Sequence, residues 1–394
     1  MKRRISISFI SLLVILSIIL SGCANMAQKE TSEPRVETAV QEHVDQENVA
    51  GTRAQDDFYE YVNGKIIEEK SREQENQGWD HFASLYDRVT DDLNIIAEEL
   101  KSQADKFDKG SVEKAVADLL QTSLDFEGRE KAGLGGLAPY LEAMESAQSV
   151  EEYLDVLAMI RKDLGKASLM TLVPSADPKD SSKYALFFDE PNLLMEKEDF
   201  DDELAVEDMK VYLASLLEAY GMEKQDAKEW GEKVFDLCKD FADAALSKVE
   251  RSNVEQTTNY YTDEELQAAL TNVDVKKFFA SSAQDQYATK VIQDPAMIEK
   301  INAYLSGEHL ELLKKYSLVS LLHDFAPYLN NEFVQASARF YLMDDEDPDM
   351  IAWDSVQSLA EFEIGDMYAK RFFSPEKKVA AEKMAQDILA GYKS

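Results

Sequence analysis

Cysteine is scarce in this sequence: 394 residues contain only Cys23 and Cys238. Cys23 ends an N-terminal processing signal, so Cys238 has no second thiol to pair with inside the chain. A small secreted scaffold held by disulfides is therefore excluded, and stability must come from burial of an apolar core. Cys238 lies on an apolar helical stripe, which favours a buried packing residue over a reactive thiol.

Histidine is nearly as rare, with only His43, His81, His309 and His323 in the chain. No two of them lie within five residues of each other, so neither H-E-x-x-H nor any short-spaced zinc pair is present. Histidines distant in sequence could still meet in the fold. The sequence also lacks the G-x-S-x-G elbow of serine hydrolases. We therefore predict no catalytic residue, no metal ligand and no cofactor in this chain.

Basic residues are outnumbered, because 42 Lys and Arg face 77 Asp and Glu, a formal charge of −35. Such an excess of acid repels polynucleotides, so we predict no nucleic-acid partner. The densest acidic run, residues 344–349, does not fit an EF-hand. Counted from Asp345, the positions of the required glycine and glutamate hold Met350 and Val356. Residues 133–138 match G-x-G-x-x-A but follow charged, helix-like sequence, so they do not predict a nucleotide site.

The longest apolar run lies at the N-terminus. Residues 2–4 are basic, residues 5–20 are apolar apart from serines, and Leu20-Ser21-Gly22-Cys23 follows at once. This pattern predicts a lipoprotein signal peptide over residues 1–22 and a diacylglycerol on Cys23. An uncleaved transmembrane anchor is the alternative, but this run is shorter than the ~20 residues that span a bilayer. The expected location is the cell membrane, lipid-anchored and facing outside the cytoplasm, with a charge of −38 once three cations are removed from −35.

Beyond the signal, the chain divides into a tether and a folded body. Residues 23–54 are polar, contain Pro34 and Gly51 and show no sustained apolar period, which is typical of a flexible tether. Random-coil scaling gives this tether a reach of about 30 Å. Residues 55–394 are dominated by helical periodicity and predict one large domain of about ten to twelve helices.

Local signals mark several helix ends in the body. Gly221 follows an apolar stripe and predicts a C-terminal stop, because glycine tolerates the left-handed conformation. Thr262 and Glu265 have the spacing of a capping box, in which each side chain accepts from a free backbone N–H of the first turn. Ser374 and Pro375 predict the start of the last helix, with serine as the cap and proline where its missing N–H has no cost.

One stretch departs from the helical pattern. Residues 168–174, SLMTLVP, and residues 183–190, KYALFFDE, are short runs rich in apolar and β-forming residues. The intervening SADPKDSS is rich in turn-forming residues. The predicted fold class is therefore mainly α, a large multi-helix domain with a small β-hairpin.

Four segments resemble a known family. Residues 55–65, QDDFYEYVNGK, resemble the D-D-F-Y-x-Y-V-N-G-x-W motif that opens the neprilysin and endothelin-converting-enzyme family of zinc metallopeptidases, with Ile66 in place of the tryptophan. Residues 172–186 are similar to the β-hairpin of that family, and residues 259–266 to its N/Y-x-x-T-x-x-E-L segment. Residues 353–377 resemble the pattern that closes the N-terminal region of the family. The similarity runs in order from the opening motif to the C-terminus.

The resemblance implies the N-terminal helical domain of a neprilysin-like peptidase, which in intact members lies over a catalytic domain that carries zinc and H-E-x-x-H. This sequence contains none of the catalytic motifs, so the implied zinc and peptide cleavage belong to another domain, and we expect the chain to be inactive alone. The implied contact with that domain involves the opening motif and the last helix. The candidate interface residues are Asp57, Phe58, Tyr59, Tyr61, Asn63, Gly64, Val379, Met384, Ile388 and Leu389.

Three functional hypotheses remain open at this point. In the first, the chain is the N-terminal domain of a zinc metalloendopeptidase and docks a separately encoded catalytic chain. In the second, it is a non-catalytic surface lipoprotein that binds small peptides. In the third, it is an inert truncated remnant, which predicts an exposed apolar surface and aggregation of the mature protein.

Overall fold

The computed structural model describes residues 52–73, 81–341 and 347–393. This part of the chain forms two compact units. The first unit combines the segment up to Lys114 with the segment Phe362–Ser394, and the second unit is Ala115–Glu361. Each unit is therefore considered separately below.

Several predictions fall on residues that the structure does not describe. These are the signal peptide over residues 1–22, the lipidated Cys23, the tether as far as Gly51, and residues 344–346 of the acidic run. Within the described ranges, no helix combines the length and the apolarity that a bilayer crossing requires.

Helices dominate both units, as predicted. In chain order they are α1 Phe58–Glu73, α2 His81–Gln103, α3 Val112–Leu124, α4 Phe126–Ala132, α5 Ala138–Ser146, α6 Val150–Leu164, α7 Glu203–Ala219, α8 Lys224–Ala244, α9 Lys248–Arg251, α10 Asp263–Ala269, α11 Val275–Ser281, α12 Pro295–Tyr304, α13 Leu310–Phe325, α14 Asn331–Phe340, α15 Pro348–Leu359, α16 Glu361–Phe372 and α17 Pro375–Lys393. The described part of the chain contains more helices than the ten to twelve predicted. The additional ones include helices of one or two turns, such as α4, α9 and α11, which were missed because so short a segment shows no apolar period.

The predicted hairpin is confirmed and belongs to a small sheet in the second unit. The strands are β1 Thr171–Asp177, β2 Asp180–Asp189, β3 Asn259–Tyr261 and β4 Thr289–Ile292, in the order β1-β2-β4-β3. β1 and β2 are antiparallel with Leu172 opposite Phe188, β2 and β4 are parallel, and β3 and β4 are antiparallel. The outer edge of β1 is blocked, because Arg161 donates from Nη2 to the Leu172 carbonyl at 2.6 Å and Pro174 has no N–H to offer.

The large apolar core lies in the second unit, between its helices and the inner face of the sheet. Leu213, Leu216 and Leu217 of α7 are all buried, which confirms the apolar stripe expected on that helix. The helix then ends in a Schellman motif: Met222 donates to the Leu217 carbonyl at 3.0 Å, and Gly221 has a φ of +104°.

Helix α8 packs very closely against α7. A Cβ added to Gly231 of α8 would lie 3.1 Å from the backbone nitrogen of Ala214, so a larger residue there would push the two helices apart. On the same helix, Cys238 is fully buried, and burial raises the pKa of its thiol. The predicted packing role of Cys238 is therefore confirmed.

A buried polar network ties both ends of the hairpin to α13. Tyr316 donates its hydroxyl to the carbonyls of Ser168, at 3.0 Å, and Asn192, at 2.8 Å. The Ser317 hydroxyl lies 2.7 Å from both the Tyr153 hydroxyl and the Ser168 hydroxyl. Because buried polar groups are costly when unpaired, this network fixes the chain entering β1 and the chain leaving β2 against one helix.

The other two predicted caps are also present. Thr262 accepts from the backbone N–H of Glu265 at 3.1 Å, and Glu265 accepts in return from the backbone N–H of Thr262 at 2.9 Å. Ser374 accepts from the backbone N–H of Lys377 at 3.3 Å, and Pro375 is the first residue of α17. The sequence signals placed these two helix starts correctly.

Candidate functional site

The histidines do not form a metal site among the described residues. His309 occupies the N-cap position of α13 without a side-chain capping bond, and His323 lies in the last turn of the same helix. A helical rise of about 1.5 Å per residue therefore separates them by about 20 Å. No group of three His, Cys, Asp or Glu side chains in the described part of the chain has a geometry that could hold a metal ion. His43 lies outside the described residues.

His323 is a packing residue with a perturbed titration. Its Nδ1 lies 3.0 Å from the Tyr212 hydroxyl, and the two rings meet edge to face. Burial, with a smaller contribution from the Lys166 ammonium, lowers the pKa of His323 to about 4. The ring is therefore neutral in the folded protein at physiological pH.

This lowered pKa predicts a pH-dependent loss of stability. The unfolded state binds a proton on His323 below pH of about 6.5 and the folded state only below about 4, so the His323 contribution is complete above 6.5 and is lost as the pH falls through that window. We expect a loss of about 2 kcal/mol, reduced from about 3 because the ring keeps some solvent contact.

Urea unfolding of the wild type and of His323→Gln at several pH values between 4 and 7 measures this effect. The variant should show a flatter profile across the window. Neighbouring Asp324, whose pKa is raised by burial, titrates in both proteins and cancels in the comparison. Parallel profiles for the two proteins would contradict the assignment.

The first unit contains the predicted interface residues of the opening motif. Asp57 caps α1, because its Oδ1 accepts from the backbone N–H of Glu60 at 2.9 Å, and Asn63 donates to the Tyr59 carbonyl at 3.1 Å. Gly64 is buried, and a Cβ added there would meet the Glu60 side chain. The contacts described here for Asp57, Asn63 and Gly64 therefore all lie within α1.

The aromatic residues of the same motif point away from their own unit. Phe58 is 69% exposed and Tyr59 is 68% exposed, and Tyr61 and Val62 are exposed as well. Side chains of this size are normally covered when they cluster. They give α1 an apolar surface that has no cover in the described structure.

Helix α17 is exposed on all sides. None of its 19 residues is buried, and only Ala385 is even half-buried. An isolated helix of this length is marginal in water, because most helical stability in proteins comes from packing of an apolar face. The exposed apolar side chains of α17 therefore have no cover in the described structure.

The exposed apolar residues of α17 do not all share one face. At about 100° per residue, Met384, Ile388 and Leu389 lie within one side of the helix, whereas Val379 lies about 180° from Ile388. Val379 instead lies among charged side chains. A four-residue step links Met384 to Ile388, whereas Leu389 lies about 100° from Ile388 and about 80° from Val379, so the four residues spread over more than one side of the helix. That all four contact one partner stays a prediction.

Several exposed apolar residues of the first unit were missed by sequence reasoning. They are Phe82, Leu85, Tyr86 and Ile95 on α2, Phe362 on α16, Phe373 and Tyr392. The spacing of Phe82, Leu85 and Tyr86 marks one face of a helix, but periodicity cannot tell a buried face from an uncovered one. We refer to the exposed apolar side chains of α1, α2 and α17 as the apolar surface of the first unit.

Polar contacts join α16 to α2 inside this unit. Arg371 forms an ion pair with Glu99, and the Tyr368 hydroxyl donates to Oδ2 of Asp92 at 3.4 Å. Both contacts lie at or near the surface, where such pairs contribute little stability. They leave the apolar surface uncovered.

Comparison with known proteins identifies the lineage of the chain. A sequence profile for the N-terminal part of peptidase family M13 matches residues 54–394. The chain belongs to peptidase family M13. The resemblance to neprilysin-like zinc metallopeptidases inferred from the opening, hairpin and closing motifs is thereby confirmed.

A curated relative and two solved structures support the same assignment. An inferred zinc metalloproteinase encoded in the scaA 5′ region of Streptococcus gordonii is 21% identical over 354 residues, which are 87% of this chain and 62% of that protein. The inhibitor complex of the Mycobacterium tuberculosis zinc metalloprotease Zmp1 superimposes with a TM-score of 0.71 at 21% identity, over 84% of this chain and 52% of Zmp1. PepO from Lactobacillus rhamnosus gives 0.69 at 16% identity, over 86% of this chain and 55% of PepO.

These structural similarities establish the fold of the chain as that of the M13 helical region. The chain spans about half the length of the solved relatives and 62% of the curated one. The family is zinc-dependent, and no metal site occurs among the residues described for this chain.

Proposed function

We propose that this chain is the N-terminal helical domain of a zinc metalloendopeptidase that cleaves small peptides, and that it acts with a separately encoded catalytic chain. The apolar surface of the first unit would receive that chain. The observation that carries the proposal is α17, a helix of 19 residues with none buried. A helix of this kind requires a covering partner to be stable.

The described residues of this chain do not fit a zinc site. A catalytic zinc needs three protein ligands and an open position for water. His309 and His323 are about 20 Å apart, and no suitable side-chain group accompanies either of them in the described ranges. We therefore derive no catalytic step from this chain and assign zinc binding to the partner.

We further propose that the protein is anchored to the cell membrane and faces outside the cytoplasm. The basic residues 2–4, the apolar segment 5–20 and the lipidation motif ending at Cys23 support this location. A lipid anchor predicts that detergent releases the protein from the membrane fraction, whereas high salt leaves the protein in that fraction. Release by salt alone would contradict the anchor.

Peptide capture without cleavage draws less support from the second unit. A cavity beside the buried polar network, lined by Ser168, Ser317 and Ser320, has a volume of about 20 Å³, which is room for about one water molecule. A second cavity, lined by charged side chains that include Glu145 and Glu311, has a volume of about 230 Å³. Known small-molecule pockets are of order 300–1,000 Å³. We therefore prefer the docking function.

Association of two purified chains tests the proposal. The full chain, in mild detergent, is mixed with an H-E-x-x-H-bearing M13 polypeptide encoded in the same genome. We expect a stable complex that cleaves a fluorogenic peptide in a chelator-sensitive manner, whereas the present chain alone does not. Absence of a complex, or metal-dependent cleavage by the present chain alone, would overturn the proposal.

A further inference from the structure

Two cations lie in line with the apolar face of α17. Eleven residues are about three helical turns, so Lys377 lies in line with Ile388 and Lys378 in line with Leu389, each about 16 Å towards the N-terminus. Both lysines are exposed, and neither forms an ion pair within the described part of the chain. Glu382 borders the face beside Lys378 but makes no ion pair with it there.

The charge of this segment contrasts with the rest of the molecule. The second unit contains 50 acidic and 22 basic residues, a net charge of −28. Residues 362–394 contain six basic and five acidic residues, a net charge of +1. Cations are therefore concentrated at a surface that also exposes large apolar side chains.

We propose that the surface covering α17 is apolar at its centre and carries carboxylates opposite Lys377 and Lys378. This inference rests on the proposed function and adds the chemistry of the partner surface. Complementary charge at the rim of an apolar contact accelerates association and fixes its register, and it disfavours partners of like charge. A second copy of this chain could also supply carboxylates. In such a dimer, however, the strongly acidic second units of the two copies would repel each other.

A lipid surface fits α17 less well than a protein does. Helices that lie on anionic membranes carry an excess of lysine or arginine over their polar side. On the polar side of α17, Lys383 is already paired with Asp387 at 2.9 Å, and Glu376 lies nearby. The unpaired lysines lie instead on the apolar side, where a protein surface can supply individual carboxylates.

Charge reversal tests the inference with a matched control. The double variant Lys377→Glu and Lys378→Glu is compared with the double variant Lys383→Glu and Lys370→Glu, which makes the same formal charge change. Both control lysines are exposed and already paired, Lys383 with Asp387 on the polar side of α17 and Lys370 with Asp366 on α16. Binding of each to the H-E-x-x-H-bearing M13 chain is measured at low and high salt. We expect the first variant to bind about tenfold more weakly at low salt with a reduced salt dependence, and the control to bind nearly as the wild type does.

The possible outcomes separate this inference from the proposed function. If the wild type fails to bind the M13 chain, the proposed function is contradicted and this inference falls with it. If the wild type binds and both double variants bind equally well, or are equally weakened, only the inference about Lys377 and Lys378 is wrong. Binding of the wild type to vesicles of anionic lipid, lost in the first variant while association with the M13 chain is unchanged, would assign the two lysines to a membrane instead.

Discussion

Replacement of Ile388 with glutamate should weaken association with the catalytic chain by at least about 30-fold. Ile388 lies at the middle of the apolar face of α17, between Met384 and Leu389, and is 54% exposed in this structure. A carboxylate placed there would be buried without a partner when the face is covered, and central apolar residues contribute most of the affinity at such contacts. Titration of the labelled chain with the M13 catalytic chain measures the effect.

The chain offers a matched control for this substitution. Val379→Glu introduces the same charge into the same helix at a residue that is 64% exposed, but on the opposite side. We expect this variant to bind within about twofold of the wild type, since exposed substitutions away from a contact have small effects. Equal losses in the two variants would show that α17 is covered all round, and no loss in either would remove α17 from the interface.

The contrast between Val379 and Ile388 also shows what the sequence could predict about the site. The apolar character of the last helix and its start at Ser374 were read correctly, because both depend on local sequence. The grouping of Val379 with the other three was inferred from composition, whereas its angular position places it opposite Ile388, so its part in the contact stays a prediction. The exposure of α2 could not be predicted, since an apolar stripe has the same pattern whether or not a partner covers it.

A similar division holds for the fold. The hairpin and the capping box at Thr262 were predicted because each depends on a few neighbouring residues. Strands β3 and β4, of three and four residues, were not predicted. β4 is a strand because β2 offers it an edge, with Ala185 opposite Thr289, and β3 pairs in turn with β4, with Asn259 opposite Ile292. Pairing partners this far apart in the sequence leave no local signal.

The opening motif illustrates how one short segment serves two purposes. Asp57 and Asn63 satisfy backbone groups of α1, whereas Phe58 and Tyr59 between them are exposed. A motif that only stabilised its own helix would not need exposed aromatic side chains. The combination supports the proposal that α1 presents part of a contact surface.

The largest loss of stability is expected in the buried polar network of the second unit. Tyr316→Ala should lower the free energy of unfolding by about 5 kcal/mol. The ring is fully buried and packs near Phe241, with centroids 6.2 Å apart. Burial raises the pKa of the Tyr316 phenol, so the hydroxyl keeps its proton and remains a donor to the carbonyls of Ser168 and Asn192.

Two further variants divide this loss into its causes. Tyr316→Phe keeps the ring and removes only the hydroxyl, so it should cost about 1–3 kcal/mol, the penalty of leaving buried carbonyls unpaired. Tyr392→Ala removes an 88% exposed ring from α17 and should change stability by no more than about 0.5 kcal/mol. Urea unfolding followed by circular dichroism measures all three. A loss for Tyr316→Phe as small as that for Tyr392→Ala would mean that the hydroxyl does not hold the hairpin to α13, and that ring packing alone accounts for the effect of Tyr316→Ala.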